Sequence, residues 1–225
     1  MSVVILVVVL VGAMRPATAI SADGPMNLYN AVAVAAHLDA RGRGVLVVAN
    51  DEIHFAREVA KTNTTQVGTF RATHRGLAGV VNAGRLHFYA PPVRRHTAQS
   101  EFSINGLTHL PRVDIIYAHA GMGRELIDAA VQAGARGLVI AGVGDGNLNT
   151  SALAGAAVAV AAGVAVVRSS RTGGGVVERN IEVDDDRLGF IAADELNPQK
   201  ARVLLMLALT LTADAGRVQE LFYLY

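Results

Sequence analysis

The stretch VDIIYAHAGMGRELIDAAVQAGARGLVIAGV, residues 113–143, decides the fold class of this chain. Its two ends are short apolar runs, and its middle carries apolar residues at helical spacing up to Gly134. Glycine is common just past the end of a helix. Short apolar runs bounded by turn residues are typical of buried strands in parallel sheets. The stretch therefore predicts a strand–helix–strand unit.

The same alternation continues to the end of the chain. SALAGAAVAVAAG predicts a helix, VAVVRSS predicts a third strand, and NPQKARVLLMLALTL predicts a helix. Asn197 is the expected N-cap of that last helix, and Pro198 stands in its first turn. Its segment from Val203 to Leu209 is apolar all round, so we expect other elements to cover it on both sides. Repeated alternation predicts a parallel sheet with right-handed crossovers.

The N-terminal apolar run ends at Met14 and has two interpretations. Its valines and its stop at Arg15 and Pro16 favour a buried parallel strand. Residues 17–19 have the small-x-small form of a signal-peptide cleavage site, which supports the alternative. The run is shorter than the roughly 20 residues that a bilayer-spanning helix needs. We therefore expect no association with a membrane.

The next elements are shorter and less regular. Residues 24–40 predict a helix with Pro25 near its first turn. Residues 44–50 predict a second buried strand, and β-like pieces are expected near residues 79–81 and 86–89. The predicted apolar face of the helix consists of Leu28, Ala31, Val32 and Ala35.

Prolines indicate how the chain is divided, because three of the six lie in residues 91–111. This composition predicts a linker. The overall prediction is an α/β protein. An N-terminal α/β domain occupies residues 1–90, and a C-terminal α/β domain with a parallel, Rossmann-like sheet occupies residues 112–225.

Composition excludes several functions. The 225 residues carry a formal net charge of +1, with 20 basic and 19 acidic side chains. Such a balance does not indicate nucleic-acid binding, which is typically accompanied by an excess of basic residues. The chain has no cysteine, which rules out disulfides, zinc–thiolate sites and a cysteine nucleophile. Histidines show no metal-ligand spacing, and we expect no cofactor.

Three polar loops are candidate ligand sites. AGVGDGN, residues 141–147, follows a predicted strand, where open α/β sheets bind ligands. Asn147 stands where a dinucleotide fingerprint needs its third glycine, so a ligand loop and a plain tight turn both stay open. Arg171 could hold an anion, although a mobile loop is the simpler interpretation. A solvated acidic turn is favoured over a cation site for Glu182, Asp184, Asp185 and Asp186.

Lys61 stands in EVAKTNTTQ, residues 58–66, among Thr62, Thr64 and Thr65. A lysine beside hydroxyl groups can help one of them lose its proton once burial and neighbours tune the lysine pKa. A solvated loop is the alternative.

Taken together, six ordered motifs resemble the bacterial L-asparaginase family, most closely its type II branch. They are VGAMRPATAISADGPMNLYNAV, VAKTNTTQVGTF, GVGDGN, VVRSSR, EVDD and LNPQKARVLLMLALT. The resemblance implies an amidohydrolase that acts on L-asparagine, and in some relatives on L-glutamine, by acyl transfer without a cofactor or metal. It also implies a homotetramer built from tight dimers.

The resemblance assigns roles to individual residues. Lys61 matches the catalytic lysine, and Ala13 matches a residue whose backbone lines the substrate pocket. Asn147 and Glu182 match residues that reach into the active site of a neighbouring subunit. Asp145 departs from the type II pattern, which usually has asparagine there.

Two family motifs do not occur in these 225 residues. One is Thr-Gly-Gly-Thr-Ile, whose first threonine is the family's nucleophile, and the other is His-Gly-Thr-Asp-Thr, which acts with the lysine. We therefore expect an incomplete N-terminal domain and no useful activity of the chain alone. The alternative is a non-catalytic remnant or partner subunit that binds an intact asparaginase chain. Periplasm and cytoplasm both stay open as compartments.

Overall fold

The computed structural model describes residues 6–225 of the chain. They divide into two compact units, the first ending at Ser100 and the second running from Glu101 to Tyr225. Both units combine helices with sheets, so the predicted α/β class is confirmed. No helix within residues 6–225 is long and apolar enough to cross a membrane.

Within residues 6–100, the first unit contains one α-helix, two sheets and two short 3₁₀-helices, Leu38–Ala40 and Thr97–Gln99. The helix is α1 (Gly24–Ala36), and the strands are β1 (Val8–Val11), β2 (Val45–Ala49), β3 (Glu52–Phe55), β4 (Val59–Lys61), β5 (Phe70–Ala72), β6 (Gly79–Asn82) and β7 (Arg85–Phe88). Five of them form a sheet in the order β1-β2-β3-β6-β7, in which only β1 and β2 are parallel. β4 and β5 form a separate antiparallel pair. The strands predicted near residues 44–50, 79–81 and 86–89 are confirmed.

The first strand is parallel, as predicted, but it is not buried. β1 lies at the edge of the sheet, and Val8, Leu10 and Val11 are exposed. Val9 packs against the core of the unit. The prediction of a buried strand is therefore wrong for residues 8–11. Residues 1–5 of the predicted run lie outside the described part of the chain. The cause is the edge position, because among the strands of residues 6–225 β1 pairs with β2 alone.

The helix α1 buries a different face from the one predicted. Its buried residues are Asn27, Asn30, Ala31 and Val34. Leu28 and Val32 are more than half exposed. The physical reason is hydrogen bonding, because the two asparagines turn toward the sheet to satisfy backbone and side-chain partners there. An apolar pattern alone could not reveal that choice.

The second unit is a parallel sheet between two helical layers. Its strands are β8 (Val113–Tyr117), β9 (Gly137–Gly142), β10 (Ala165–Ser170) and β11 (Phe190–Ala192). Its helices are α2 (Glu125–Gln132), α3 (Thr150–Ala161), α4 (Asp185–Leu188), α5 (Pro198–Ala208) and α6 (Ala215–Leu224). The order is β11-β10-β9-β8 and every pairing is parallel, which confirms the predicted sheet.

Side chains alternate between the two faces of this sheet. Val139, Val167 and Ile191 pack with α5 and α6, whereas Leu138 and Val166 pack with α2 and α3. Because both faces are covered, the strands read as continuous apolar runs rather than as alternating patterns. That continuity is what made them recognisable in the sequence.

The helix α5 begins as predicted, with the Asn197 side chain accepting a hydrogen bond from the Lys200 amide at 3.0 Å and Pro198 in the first turn. Its apolar segment is covered on one side only. Leu205 is fully buried, but Val203 is 53% exposed. The prediction of a helix covered on both sides is therefore wrong, because α5 belongs to an outer layer.

Candidate functional site

The loop after β1 carries Ala13 and is held by one carboxylate. Asp23 accepts hydrogen bonds from the amides of Met14 and Arg15, each at 2.9 Å. The bond from the Met14 amide is the largest cause of a lowered Asp23 pKa. The backbone around Ala13 is therefore fixed while its own side chain stays exposed.

Asn27 ties this loop to the neighbouring strand. Its Nδ2 donates to the Gly12 carbonyl at 2.9 Å, and its Oδ1 accepts from the Asn50 amide at 2.9 Å. Gly12 follows β1 and Asn50 follows β2, so one buried amide side chain joins the carboxyl ends of two parallel strands. The sequence did not point to Asn27, because the predicted buried face of α1 was defined by its apolar residues alone.

Lys61 is the last residue of β4, and its side chain is exposed. Just beyond it, Thr62 donates through its amide and its hydroxyl to the Thr69 carbonyl, at 2.8 and 2.9 Å. The hydroxyl of Thr69 accepts from the Asn63 amide at 2.7 Å. These bonds close the hairpin between β4 and β5, so the hydroxyls of Thr62 and Thr69 bond to the backbone.

The tip of this hairpin is an asparagine turn. The Asn63 Oδ1 accepts from the amides of Thr65 and Gln66, at 2.9 and 3.0 Å. Such side-chain bonds to the following backbone are a standard way to stabilise a turn. The hydroxyl-rich sequence around Lys61 thus has a local structural explanation, and within residues 6–100 no acidic side chain forms an ion pair with Lys61.

A buried histidine lies in the strand on which this hairpin packs. β3 contacts β5, and the His54 side chain of β3 is fully buried. Its Nε2 is 3.3 Å from the Glu52 carboxylate without hydrogen-bond geometry, and neither ring nitrogen has a hydrogen-bond partner among residues 6–225. Burial lowers the pKa of His54 to about 4 and raises the pKa of Glu52. No sequence signal pointed to His54.

The second unit has a cavity of about 370 Å³ at the carboxyl ends of β8, β9 and β10. This is the edge of a parallel sheet at which ligands usually bind. Its lining consists of Ala118, His119, Ala120, Val143, Asn147, Leu148, Asn149 and Arg171. Two of the sequence-derived candidates, Asn147 and Arg171, therefore meet at one cavity.

The glycine-rich loop that carries Asn147 is a tight turn closed on itself. The Asn147 amide donates to the Val143 carbonyl at 2.9 Å. A Cβ atom on Gly142 would lie 2.5 Å from the backbone of Gly146, so this glycine is required by the turn. Asn149 then caps α3, accepting from the Ala152 amide at 2.9 Å. The Asn147 side chain is left partly exposed.

The acidic segment near residue 185 is solvated at Glu182, Asp184 and Asp186 but not at Asp185. Asp185 is fully buried and pairs with buried Arg168, both bonds measuring 2.7 Å. Arg168 also donates to the carbonyls of Asp145 and Glu178, at 2.7 and 3.0 Å. The predicted solvated turn is therefore wrong for Asp185, because a buried cation compensates its charge.

The other acidic residues of the segment have separate roles. Asp184 caps α4 by accepting from the Arg187 amide at 2.9 Å. Asp186 bonds to Arg179, which lowers the Asp186 pKa. Glu182 is exposed. Residues 6–225 contain no group of three His, Cys, Asp or Glu side chains that could hold a metal ion.

The predicted site residues thus fall into two sets. Ala13 and Lys61 belong to the first unit, and Asn147 and Glu182 belong to the second. Within the second unit, Arg168 links the stretches around the latter two. The sequence patterns gave Arg168 no role, because its partner Asp185 lies 17 residues away and their pairing had no local signal.

Comparisons with known proteins agree with this division. The description "Asparaginase, N-terminal" matches residues 4–94, and "Glutaminase/Asparaginase C-terminal domain" matches residues 112–222. Over 218 residues, 97% of this chain, it is 52% identical to L-asparaginase 2 of Bacillus subtilis (strain 168) and covers 57% of that protein. Over the same length and share of this chain, it is 49% identical to L-asparaginase 2 of Escherichia coli (strain K12), covering 63% of it.

A third relative carries a different name. The chain is 42% identical to the glutaminase-asparaginase of Pseudomonas fluorescens biotype A over 219 residues, which is 97% of this chain and 60% of that protein. The chain therefore spans about three fifths of the length of these relatives, between 57% and 63%.

Proposed function

The chain belongs to the glutaminase/asparaginase family, and on that premise we propose that its residues take part in hydrolysing the side-chain amide of L-asparagine to L-aspartate and ammonia. L-Glutamine is included as a second substrate of the same site, since one relative is a glutaminase-asparaginase. The observation that carries the proposal is the match to the N-terminal and C-terminal family descriptions, with a relative aligned over 97% of this chain and Lys61 in its motif.

The reaction is a two-step acyl transfer. A threonine hydroxyl attacks the amide carbon, and ammonia leaves with a proton taken from the hydroxyl. Water then attacks the resulting ester, which releases aspartate and restores the threonine. Lys61 is proposed to assist the proton transfers together with a threonine and an aspartate, since a nucleophile of this kind needs a nearby proton acceptor.

The remaining residues are proposed to bind substrate. The Ala13 backbone lines the pocket, and its fixed conformation through Asp23 supports that role. Asn147 and Glu182 enter the site of a neighbouring chain in a homo-oligomer. Their exposure in the isolated chain is consistent with contacts to a second copy. We also propose that residues 91–111 link the two family domains.

These 225 residues are proposed to be inactive by themselves, because neither Thr-Gly-Gly-Thr-Ile nor His-Gly-Thr-Asp-Thr occurs among them. A second candidate function follows, in which the chain binds an intact asparaginase subunit and lends it Asn147 and Glu182. The exposure of both side chains favours this candidate as well. Co-purification with an intact relative would support it.

The test uses a fusion of residues 1–225 to the part of the Bacillus subtilis relative that this chain does not match. Lysine occurs only at positions 61 and 200, which provides a matched pair of variants. We expect Lys61→Met to abolish ammonia release from L-asparagine and Lys200→Met to leave it near the parent rate. Equal effects of the two changes, or an active Lys61→Met variant, would refute the role of Lys61.

A further inference from the structure

We propose that Arg168 is a positioning residue, which holds the stretches carrying Asn147 and Glu182 in one fixed arrangement. The inference rests on the proposed function for the importance of those two side chains. The geometry itself depends only on contacts within the second unit.

The guanidinium of Arg168 is the centre of the arrangement. Its Nε and Nη2 each lie 2.7 Å from the carboxylate of Asp185. The side chains are 1% and 0% exposed, so both charges are out of water. A bidentate guanidinium–carboxylate pair of this kind fixes the relative orientation of the two groups as well as the distance between them.

The same guanidinium reaches two further segments. Nη1 donates to the Asp145 carbonyl at 2.7 Å, and Nη2 donates to the Glu178 carbonyl at 3.0 Å. Asp145 stands two residues before Asn147, and Asp185 stands three residues after Glu182. One buried cation therefore joins the loop after β9 to both ends of the segment that contains Glu182.

Two backbone bonds reinforce this junction. The Glu178 amide donates to the Asp145 carboxylate at 2.6 Å. The Asn180 amide donates to the Asp185 carboxylate at 2.8 Å. Both acceptor residues also contact Arg168, so removal of the guanidinium leaves these bonds without their common support.

Arginine is specifically suited to this place. Its planar group has five donors, and the structure uses four N–H groups in directions that a lysine ammonium could not reproduce. Gly146 makes room for it, since a Cβ there would lie 3.1 Å from Nη1. An apolar pair could fill the same space without the cost of burying charges, so retention of the ion pair points to a role in geometry.

The first test measures amide hydrogen exchange in the full 225-residue chain. In Arg168→Lys we expect exchange at the amides of Asn147, Glu178 and Asn180 to accelerate on the order of tenfold or more, while α2 and α3 change little. The control is Arg124→Lys, which breaks the half-buried fork between Arg124 and Asp128 at the start of α2, with bonds of 2.7 and 2.9 Å, and should leave exchange at those three amides unchanged. Acceleration by one common factor throughout the unit would overturn the proposal, because it would indicate general destabilisation.

The second test uses the active fusion and a double-mutant cycle. We expect Arg168→Lys to raise KM for L-asparagine about tenfold with a smaller effect on kcat, and to have no further effect on KM when Asn147 and Glu182 are both alanine. An unchanged KM effect in that background would overturn the proposal. If the two alanines leave KM unaltered, the proposed role of Asn147 and Glu182 fails, and the exchange experiment still decides whether Arg168 fixes the loops.

Discussion

At the scale of single residues, buried polar side chains hold neighbouring backbone segments in place through hydrogen bonds. Asn27 joins the ends of β1 and β2, and Arg168 joins three segments of the second unit. Both are compensated by several hydrogen bonds, as buried polar groups require. His54 is not compensated in this way, because its ring nitrogens lack hydrogen-bond partners among residues 6–225. The stability of the folded chain should therefore depend on the protonation of His54.

We predict that acid destabilises the chain through His54. Its pKa is about 4 in the folded state against 6.5 as the ordinary value, so the unfolded chain takes up the proton first as the pH falls. Stability is complete above pH 6.5 and decreases toward pH 4. The expected loss between pH 7 and pH 5 is about 1–2 kcal/mol, measured by urea denaturation with circular dichroism.

Two variants separate the effect of His54 from that of neighbouring Glu52. His54→Phe should remove most of the loss between pH 7 and pH 5. Glu52→Gln should make the loss larger, because the raised pKa of Glu52 makes its protonation favour the folded state as the pH falls. An identical pH dependence in the parent chain and in His54→Phe would show that another group is responsible.

At the scale of elements, the hairpin of β4 and β5 carries Lys61 at a strand end whose geometry is set by threonine and asparagine side chains. The buried Thr69 hydroxyl bridges to Asn63 across the turn. Strand ends held in this way offer a fixed platform for a functional side chain, whereas a free loop would not.

We predict that Thr69→Val loosens this hairpin. The substitution keeps the shape of the side chain but leaves the Asn63 amide without its acceptor, at a cost of about 1–3 kcal/mol. Hydrogen exchange of the Asn63 amide should accelerate, and kcat/KM of the active fusion should fall. Thr65→Val is the matched control at an exposed position of the same turn. Equal exchange rates in both variants would contradict the role of Thr69.

At the scale of the whole molecule, sequence patterns predicted the regular strands and local caps. They missed the side-chain contacts between residues that are far apart in the sequence. The parallel strands were predictable because both faces of that sheet are covered, and the cap of α5 because Asn197 and Pro198 act locally. The buried face of α1 was not predictable, since it depends on hydrogen-bond partners just after β1 and β2. The partner of Asp185 lies 17 residues away, and only the folded sheet brings it close.

We propose that these 225 residues contain the lysine and the substrate-binding positions of an amidohydrolase but not its nucleophile. The most direct test measures ammonia and aspartate released from L-asparagine by the 225-residue chain and by the fusion, at equal concentration. We expect turnover by the fusion and a rate for the chain alone that is lower by on the order of a million-fold, as expected for a missing nucleophile. A rate for the chain alone near that of the fusion would contradict it.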